Sequence, residues 1–524
     1  MSDHLADEAN RSSERAPVRV AVLEIGSTGI RLVIAEILSG AHWKVLDRAV
    51  RPVALGRDVF TSGELSRESL HECLTVLHNY REHLASWEIK DQNIHVIATS
   101  AMRVARNRDI FIDRVRQETG LQLRIVDGIE ENRLMYLAVR FALKQDLPLF
   151  WRANSMIIEV GGGSTEIMLL RRGQMVAAHS IRLGTLLIEK QSKSGIDSYP
   201  YRENYLKESI KNTLGLLNAE LDLAHVRTLV VSGSDVRIVA EQIGKELNEN
   251  SRYIKRDNFS EFVDKIGKYS LKECVEKLKI SYTEADGLLP GLFAAKLFLE
   301  QTAAAQIVVP MVTIREGLLI DLAQGFDPAL QEDFFSQIIA SAVNLGRKYH
   351  IDEAHSHHVA KSCMVLFDAL VKEHGMNRRH RMMLETAAIL HDIGMFIKAS
   401  GHQKHGQYIV ANSEIFGLPR DEINIIANVI RYHRRDRPSE LDFHYISLQR
   451  EERMLVLKMA SILRIADAMD KGHSQHIKRF TVEHRPETIV LHVENVLDLT
   501  YEIQGIEEKG ELFHDVYGYK VVFN

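Results

Sequence analysis

Cysteine is scarce in this chain: three cysteines occur in 524 residues, at Cys73, Cys274 and Cys363. They lie far apart with no paired spacing, which indicates neither a disulfide framework nor a zinc ribbon. Long hydrophobic runs are also missing, because none approaches the ~20 residues that span a membrane, and residues 1–15 lack the apolar core of a signal peptide. We therefore expect a cytoplasmic protein with no membrane partner.

An excess of positive charge is absent as well. The chain has 66 lysines and arginines against 71 aspartates and glutamates, for a formal net charge of -5. This balance gives no general attraction for nucleic acid, and it repels a polyanion unless a cleft is locally basic. A phosphate site in this chain must therefore contain its own arginines.

The length and the periodicity of the sequence predict several domains. A chain of 524 residues is too long for one hydrophobic core, so about three or four domains are expected. Residues 1–17 are polar without a period, and we expect a disordered tail there. The helical period dominates from about residue 323, and residues 476–524 alternate apolar and polar residues, as in a small α+β cap.

One pattern occurs twice in the N-terminal half: an apolar strand, an acidic residue, a turn of small and hydroxyl residues, and a second apolar strand. The residues concerned are Glu24 with Gly26, Ser27 and Thr28, and Glu159 with Gly161, Gly162, Gly163, Ser164 and Thr165. Glycines expose backbone N–H groups to an anion, and the hydroxyl groups add donors. One such turn alone is equally well a plain hairpin. Two turns facing each other across a cleft would hold a phosphate chain, with Glu24 and Glu159 placed to hold a divalent cation through its water molecules.

Two further segments carry charged residues beside predicted strands. Arg103 follows the short apolar strand at residues 94–100, at the edge where α/β folds bind ligands, although a strand ending in hydroxyl residues also suits helix capping alone. Glu130 and Glu131 follow Asp127-Gly128 in the first turn of a predicted helix. The helix dipole favours both glutamates there, and the functional alternative is that one of them activates water.

These motifs and their order resemble the exopolyphosphatase / guanosine pentaphosphate phosphatase (Ppx/GppA) family. The matching segments are the two turns, residues 98–103, residues 127–133, residues 285–291 and residues 314–319. The resemblance implies two ribonuclease H-like lobes of the actin, Hsp70 and sugar kinase superfamily, at residues 18–140 and 141–322, with Mg²⁺-assisted hydrolysis in the cleft between them. It also implies that Glu131 acts on the attacking water, that Arg103 binds phosphate, and that residues 161–165 form a phosphate loop.

The chain departs from this family pattern in three places. Glu24 and Glu159 stand where the family usually has aspartate, and the first turn reads Gly26-Ser27-Thr28-Gly29 where Gly-Ser-Asn-Ser is usual. Each carboxylate is one methylene group longer, and a displacement of about 1 Å can slow a reaction about a hundredfold. The N-terminal half is therefore expected to be either a retuned hydrolase or a phosphate sensor.

Sixteen of the 24 histidines lie in the C-terminal half. Imidazole and carboxylate groups from several helices suit one or two divalent ions, such as Mn²⁺, Fe²⁺, Zn²⁺ or Mg²⁺. The candidate residues are His355, His391 with Asp392, His405, His433 and Asp467. Their order resembles the HD superfamily of metal-dependent phosphohydrolases, in an all-α HD-like domain at residues 323–475. The expected ligands are His355, His391, Asp392 and Asp467, with His357, His358, His402 and His473 expected to be bystanders. The alternative is a helical domain that only packs its histidines and contributes dimer contacts.

Three functions are compatible with these patterns. The first, which we favour, is a phosphoanhydride hydrolase that releases terminal phosphate from inorganic polyphosphate or from guanosine pentaphosphate, acting as a homodimer. The second places turnover at the HD-type site, with the N-terminal lobes as a sensor. The third is a non-catalytic regulator that binds polyphosphate or (p)ppGpp. The residues of the motifs do not distinguish the two substrates, because both present a terminal phosphoanhydride.

Overall fold

The chain is described here by a computed structural model that covers residues 17–38, 43–143, 148–186, 199–324, 328–434, 436–439, 441–494, 496 and 498–524. Of the predicted tail, residues 1–16 lie outside the described residues. The chain divides into two compact units, residues 1–333 and residues 334–524. The narrower domain limits expected from the sequence stay predictions.

The first sheet of the first unit has five strands in the order β3-β2-β1-β4-β5. Its strands are β1 (Val18–Gly26), β2 (Gly29–Ile37), β3 (Trp43–Pro52), β4 (Ile94–Ala98) and β5 (Leu123–Ile125). Strands β1 to β3 are antiparallel, whereas β4 and β5 continue the sheet in parallel with β1. Gly26 pairs with Gly29 across Ser27 and Thr28, so the first glycine-containing turn is the tight connection between β1 and β2.

The second sheet has seven strands in the order β10-β11-β12-β9-β6-β7-β8. Its strands are β6 (Asn154–Val160), β7 (Thr165–Arg171), β8 (Gln174–Ile181), β9 (Val226–Ser232), β10 (Lys245–Asn248), β11 (Ser251–Lys255) and β12 (Gln306–Pro310). The run β8-β7-β6-β9-β12 repeats the arrangement of the first sheet, with three antiparallel strands followed by two parallel ones. The second glycine-rich turn joins β6 to β7, the equivalent place to the first turn.

Helices cover these sheets. In the first unit they are α1 (Leu55–Ser62), α2 (Arg67–Ser86), α3 (Ser100–Val104), α4 (Arg108–Thr119), α5 (Gly128–Leu143), α6 (Pro148–Arg152), α7 (Tyr199–Glu220), α8 (Ser234–Ile243), α9 (Arg256–Ile266), α10 (Leu271–Leu278), α11 (Tyr282–Glu300) and α12 (Ile314–Gln324), with 3₁₀ turns at Asp91–Asn93 and Leu223–His225. Helix α2 begins at Arg67 because the Ser66 hydroxyl accepts a hydrogen bond from Ser69 N. Its apolar face, including Leu74 and Leu77, packs with Leu23 and Leu32 of the sheet. The predicted mixed α/β fold is confirmed.

The C-terminal region is helical and then ends in a small sheet. From residue 328 onward the helices are α13 (Pro328–Lys348), α14 (Glu353–Ala369), α15 (Val371–His374), α16 (Arg378–Leu390), α17 (His402–Ala411), α18 (Arg420–Arg431), α19 (Phe443–Ile446), α20 (Arg450–Ala468), α21 (Thr500–Lys509) and α22 (Glu511–Tyr517), with a 3₁₀ turn at Ile393–Phe396. Strands β13 (Phe480–His484), β14 (Thr488–Val493) and β15 (Lys520–Phe523) form a three-stranded sheet in that order. Among the described residues, no helix has the length and apolar character that crossing a membrane requires.

Candidate functional sites

The two glycine-containing turns of the first unit lie against each other. A methyl group added at Gly162 would approach the Cβ atom of Ser27 to 2.8 Å, a distance that real Cβ atoms do not tolerate. The first turn is fixed from behind, because Gly56 N donates to Ser27 O at 2.7 Å and the hydroxyl groups of Ser27 and Ser100 lie 3.2 Å apart. Glycine at position 162 is therefore a condition for the close approach of the two turns.

Arg103 connects three parts of this cleft. Its guanidinium group forms an ion pair with Glu131, and Nη2 donates to the Ser164 hydroxyl at 3.1 Å. Nη1 also donates to the Val126 carbonyl at 3.0 Å, just before the turn into α5. Although burial opposes the charge on Arg103, the neighbouring Glu131 raises the pKa of its guanidinium. A permanent positive charge with a forked set of donors thus sits beside the second turn, which suits a phosphate group.

The start of α5 explains why its two glutamates point to different partners. Asp127 caps the helix, with its carboxylate accepting from Glu130 N at 2.8 Å and its carbonyl accepting from Glu131 N at 2.9 Å. Glu130 is bound away from the turns, since it accepts hydrogen bonds from Arg133 at 2.8 Å and Arg124 at 3.2 Å. Burial raises the pKa of Glu131, while Arg103 opposes the shift. Of the two glutamates, only Glu131 contacts Arg103 in the described structure.

The two acidic residues of the repeated pattern differ in their surroundings. Glu24 is paired with Arg31 at 3.4 Å and with Arg315 at 3.5 Å. Glu159 is partly buried, and its buried Oε2 atom has no hydrogen-bond partner among the described residues. Burial, with the negative charges of Glu131 and Glu24, raises the pKa of Glu159 to about 8. A buried carboxylate oxygen without a donor, next to other carboxylates, fits a position that faces a divalent cation.

Glu166 is a residue of this site that the sequence interpretation omitted. It is buried directly opposite Glu159 across the β6–β7 pair, and it accepts hydrogen bonds from Ser164 and Ser180, both at 2.8 Å. Asn132 donates to its other oxygen at 3.2 Å. Burial and the charge of Glu131 raise the pKa of Glu166 well above its usual value. Its only sequence signal is an acidic residue in an otherwise apolar strand.

Some groups of the second turn already have backbone partners. The Thr165 hydroxyl donates to the Leu183 carbonyl, and Gly161 N donates to Ser164 O at 2.9 Å. The carbonyls of Gly161 and Gly162 accept from Thr185 N and Leu186 N at 2.9 and 3.0 Å. The Thr165 hydroxyl and the Gly161 N–H group therefore have partners that shape the turn, and their part in phosphate binding stays a prediction. Gly163 abuts Phe60, whose ring an added Cβ atom would meet at 2.1 Å.

In the second unit, five elements bring histidines and aspartates to one buried point. The contributing residues are His355 on α14, His391 and Asp392 after α16, His402 on α17, His433 after α18 and Asp467 on α20. Two groups of them have ligand atoms that all lie within 4.8 Å of one another: His355, His391 and Asp467, and Asp392, His402 and His433. Exposed His473 stacks on the His355 ring with ring centres 3.6 Å apart.

The other ring nitrogen of each clustered histidine is already bound. Nδ1 of His391, His402 and His433 donates to the carbonyl groups of Ala388, Ala399 and Ile430 at 2.7, 2.9 and 2.7 Å. Nδ1 of His355 donates to the Asp470 carboxylate at 2.8 Å. All four Nε2 atoms consequently face the centre of the cluster. Second hydrogen bonds of this kind fix the tautomer and ring orientation of metal-binding histidines.

The electrostatics of this cluster favour positive charge at its centre. Although burial favours the protonated form of Asp392, His391 and His402 hold the pKa of this carboxyl well below its usual range. Asp467 is likewise buried, and its ion pair with Lys509 of α21 lowers its pKa. Burial and the neighbouring His391 lower the pKa of His433 to about 3, so this imidazole is neutral and keeps a lone pair. Although burial opposes their charge, hydrogen bonds to Asp470 and Asp392 raise the pKa values of His355 and His402. Carboxylates and imidazoles together are a donor set that suits a divalent transition metal.

His402 was expected to be a bystander, and the structure places it in the cluster. Its Nε2 atom lies 3.0 Å from Asp392 Oδ1 and 3.2 Å from Nε2 of His433. Asp470 and Lys509, which contact the predicted ligands His355 and Asp467, were also missed. Only the high frequency of histidine in this region could have directed attention to His402.

Comparisons with known proteins agree on one family. Residues 33–326 match the Ppx/GppA phosphatase family, and residues 339–504 match domain III of Ppx/GppA phosphatase. The chain is 23% identical over 501 residues to a guanosine-5'-triphosphate,3'-diphosphate pyrophosphatase of Pseudoalteromonas translucida (strain TAC 125), with 92% of each chain covered. It is 25% identical over 464 residues to the protein of the same name from Pseudoalteromonas atlantica, with 85% of this chain and 86% of the relative covered.

The fold is similar to that of an exopolyphosphatase from Cytophaga hutchinsonii. The TM-score is 0.53 and the sequence identity 18%, over 59% of this chain and 98% of that chain. Proteins of the matched family are hydrolases that act on phosphoanhydride bonds, and they generally depend on a divalent metal. The prediction of an enzyme of this hydrolase class is confirmed.

Proposed function

Because the chain belongs to the Ppx/GppA phosphatase family, we propose that it releases the terminal phosphate of guanosine pentaphosphate or of inorganic polyphosphate in the cleft of its first unit. The observation that carries the proposal is the position of Arg103, which contacts both Glu131 and Ser164 of the second turn. The Arg103 guanidinium group thereby brings a permanent positive charge to the candidate base and to the candidate phosphate loop. Hydrolysis of a terminal phosphoanhydride requires these three functions at one place.

Each residue has a defined part in this reaction. Arg103, the Ser164 hydroxyl and the backbone of the two turns, including Gly26, Ser27, Thr28 and Gly162, bind and orient the terminal phosphate. Glu131 accepts a proton from water while the water oxygen bonds to the terminal phosphorus. The bond from that phosphorus to the bridging oxygen breaks, and the bridging oxygen, which stays on the shortened chain, takes the electron pair. Positioning of this kind contributes most of the rate in phosphoryl transfer.

Mg²⁺ is the proposed cofactor of this cleft, and Glu24 and Glu159 would hold it. The unpartnered Oε2 atom of Glu159 fits such a role. Mg²⁺ keeps several of its water molecules and is held by few carboxylates together with substrate phosphates. When bound, it supplies positive charge that offsets the phosphate oxygens.

A cavity beside this cleft favours guanosine pentaphosphate over polyphosphate. Its volume is about 690 Å³, and its lining includes Trp43, Phe141, Ser234 and Arg237. The rings of Trp43 and Phe141 lie 5.3 Å apart, and the indole N–H group has no hydrogen-bond partner among the described residues. Arg237 also interacts electrostatically with Glu159, which connects the cavity to the turns. This N–H group is buried, so the aromatic rings of the lining, rather than this donor, suit a purine base, which polyphosphate lacks.

Phosphate release from the purified full-length chain tests the proposal with both substrates. Glu131→Gln is expected to lower kcat by at least about a hundredfold, since a positioned base contributes about 10²- to 10⁴-fold. The matched control is Glu130→Gln, the adjacent glutamate that pairs with Arg124 and Arg133. Trp43→Leu should lower kcat/KM for guanosine pentaphosphate and leave it unchanged for polyphosphate. Full activity in Glu131→Gln would contradict the proposal.

A second candidate function is favoured by the histidine cluster of the second unit. We propose that His355, His391, Asp392 and Asp467 bind a divalent metal in an HD-type phosphohydrolase site, for which the first unit would act as a sensor. The carrying observation is that the Nε2 atoms of His355 and His391 lie 3.2 Å apart, beside Oδ1 of Asp467. The combined variant His391→Ala, Asp392→Ala would abolish turnover under this proposal and leave it intact under the first.

The remaining expectations of the sequence stay predictions. Tight binding of polyphosphate or guanosine tetraphosphate without any turnover would favour the third function, a non-catalytic regulator. The homodimer is tested by light scattering of the purified chain, and the cytoplasmic location by fractionation of cells.

A further inference from the structure

Glu166 connects Asn132 and Ser180 with the second turn of the first unit. We propose that these two residues are positioning residues of the reaction: their hydrogen bonds to Glu166 free the Ser164 hydroxyl to donate to the terminal phosphate. This inference rests on the proposed function of the cleft. It gives a part in phosphate binding to two side chains that act only through another residue.

The Ser164 hydroxyl has a single proton to donate. Its oxygen accepts a hydrogen bond from Nη2 of Arg103 at 3.1 Å, and the hydroxyl donates to Oε1 of Glu166 at 2.8 Å. The proton is therefore directed at Glu166 in this structure. Because a hydroxyl group supplies one donor, Ser164 can donate to phosphate only when it turns away from Glu166.

Two other donors remain on Glu166 when Ser164 turns away. Ser180 Oγ donates to Oε1 at 2.8 Å, and Nδ2 of Asn132 donates to Oε2 at 3.2 Å. Glu166 is 2% exposed, so water is a poor substitute for these donors. Loss of either donor would leave a buried carboxyl group that retains the Ser164 proton more strongly, because an unmade hydrogen bond is costly in the interior.

The packing of α5 on β7 and β8 fixes the positions of these two donors. Nδ2 of Asn132 also donates to the His179 carbonyl at 3.2 Å, so one amide group joins α5 to both strands. Gly128, the first residue of α5, has no room for a side chain, because an added Cβ atom would lie 2.3 Å from the Cβ atom of Ser180. Asn132 and Ser180 are therefore preorganised, and no rearrangement of the helix is required when Ser164 turns to phosphate.

The test combines the kinetics of phosphate release from guanosine pentaphosphate with calorimetric binding of inorganic phosphate, both on the full-length chain. Asn132→Leu and Ser180→Ala should each raise KM and the dissociation constant of phosphate about tenfold, as expected for one lost hydrogen bond to a charged group. The value of kcat should change less than about threefold, since the lost interaction is one of binding. In a Ser164→Ala background, the same two substitutions should change neither KM nor the dissociation constant, because no hydroxyl group remains to be released.

The matched controls are polar residues of the first unit that have other partners. Asn107→Leu removes a hydrogen bond to the Leu65 carbonyl, and Ser155→Ala removes one to the Phe150 carbonyl. Neither substitution should change KM or the dissociation constant of phosphate.

The outcomes separate this inference from the proposed function. If Asn132→Leu and Ser180→Ala weaken phosphate binding equally with and without the Ser164 hydroxyl, they act by a general effect on the fold and the inference fails. It also fails if either substitution leaves both constants unchanged. If the unmodified chain releases no phosphate, the proposed function fails, and the binding of inorganic phosphate still decides whether Glu166 controls Ser164. Ser180→Ala removes only a hydroxyl group, so it tests the inference even if Asn132→Leu does not fold.

Discussion

The carboxylates of the two candidate sites have neighbours of opposite charge. In the first unit, Glu159 lies near other glutamates, and burial together with these charges raises its pKa to about 8. In the second unit, Asp392 is also partly buried, yet the imidazole groups around it hold its pKa well below the usual range. Burial alone therefore does not set the charge of a carboxylate. The neighbouring groups decide whether the site retains a proton or presents a negative charge.

This difference separates the chemistry that each site suits. The first site combines arginines with glutamates, so it can bind phosphate directly and hold a cation through part of its carboxylates. The second site combines ionised Asp392 and Asp467 with histidine rings, a donor set that suits metal ions. Substitutions that affect one site and spare the other test whether the two are independent.

Removal of Arg103 should have the largest effect and should be confined to the first site. In Arg103→Met, kcat/KM for phosphate release should fall about 100- to 1,000-fold, as expected when one preorganised charged donor is lost. The Mn²⁺ content of the second unit should not change. Arg106→Met is the matched control, because Arg106 pairs with exposed Glu64 outside the cleft. A decrease in kcat/KM of less than tenfold in Arg103→Met would contradict the role of Arg103 in binding the anion at the first site.

The close approach of the two turns is tested by Gly162→Ala. The added methyl group would lie 2.8 Å from the Cβ atom of Ser27, so the turns must move apart. A displacement of about 1 Å should lower kcat/KM about a hundredfold. In the control, Gly215→Ala, the added Cβ atom meets nothing within 4 Å. Unchanged kinetics in Gly162→Ala would mean that the contact between the turns has no part in catalysis.

The second site should respond to the loss of a residue that contacts a ligand histidine. Asp470 accepts from His355 Nδ1 at 2.8 Å, so Asp470→Asn weakens the orientation and basicity of this imidazole. Mn²⁺ affinity, measured by titration calorimetry, should fall about 10- to 100-fold, the usual cost of such a change. Phosphate release by the first site should be unaffected. Asp368→Asn removes an exposed carboxylate paired with Arg381 and serves as the control. Equal affinities in both variants would contradict the metal centre.

The smallest predicted effect concerns a histidine of the second unit outside the cluster. His374 is buried, its Nε2 donates to Phe367 O, and its Nδ1 accepts from Met376 N at 2.8 Å. Burial lowers its pKa, an effect that nearby Lys458 reinforces and Glu373 and Asp368 oppose. The ring is therefore neutral in the folded state. Its contribution to the free energy of unfolding is complete above the unfolded pKa of about 6.5 and is lost as the pH falls below that value.

Urea unfolding at several pH values measures this effect. Between pH 6.5 and 5, the slope of the unfolding free energy against pH should be shallower in His374→Gln than in the unmodified chain, by at most about 1.4 kcal/mol per pH unit. His444→Gln, an exposed histidine, is the control. An identical slope in His374→Gln would show that His374 protonates equally in both states.

The features that sequence reasoning could reach are local in the chain. The β1–β2 and β6–β7 turns follow from apolar strands interrupted by glycines within a few residues, and they carry the first site. The helical region after the second sheet follows from its period. The sequence also shows the adjacent pair Glu130 and Glu131. It does not show which of the two contacts Arg103, because that depends on Asp127 capping α5 and on Arg124 and Arg133 binding Glu130.

The features that sequence reasoning missed depend on packing between distant segments. His402 and His405 lie three residues apart near the start of α17, and either could point inward by helical spacing. The structure buries His402 and leaves His405 partly exposed, which the packing of α17 against α18 decides. Glu166 was missed for a similar reason, since its partners Asn132 and Ser180 come from α5 and β8. A buried carboxylate is recognisable as part of a site only when its hydrogen-bond donors are known.

Asp467 is synthesised before Lys509. The four clustered histidines and Asp392 also precede α21, so on the growing chain these ligands emerge while Asp467 still lacks the ammonium group that later pairs with it. In that interval a divalent ion in the surrounding solution meets no competitor for this aspartate. For the proposed metal site, this order predicts that an ion can reach Asp467 on the nascent chain before Lys509 pairs with it.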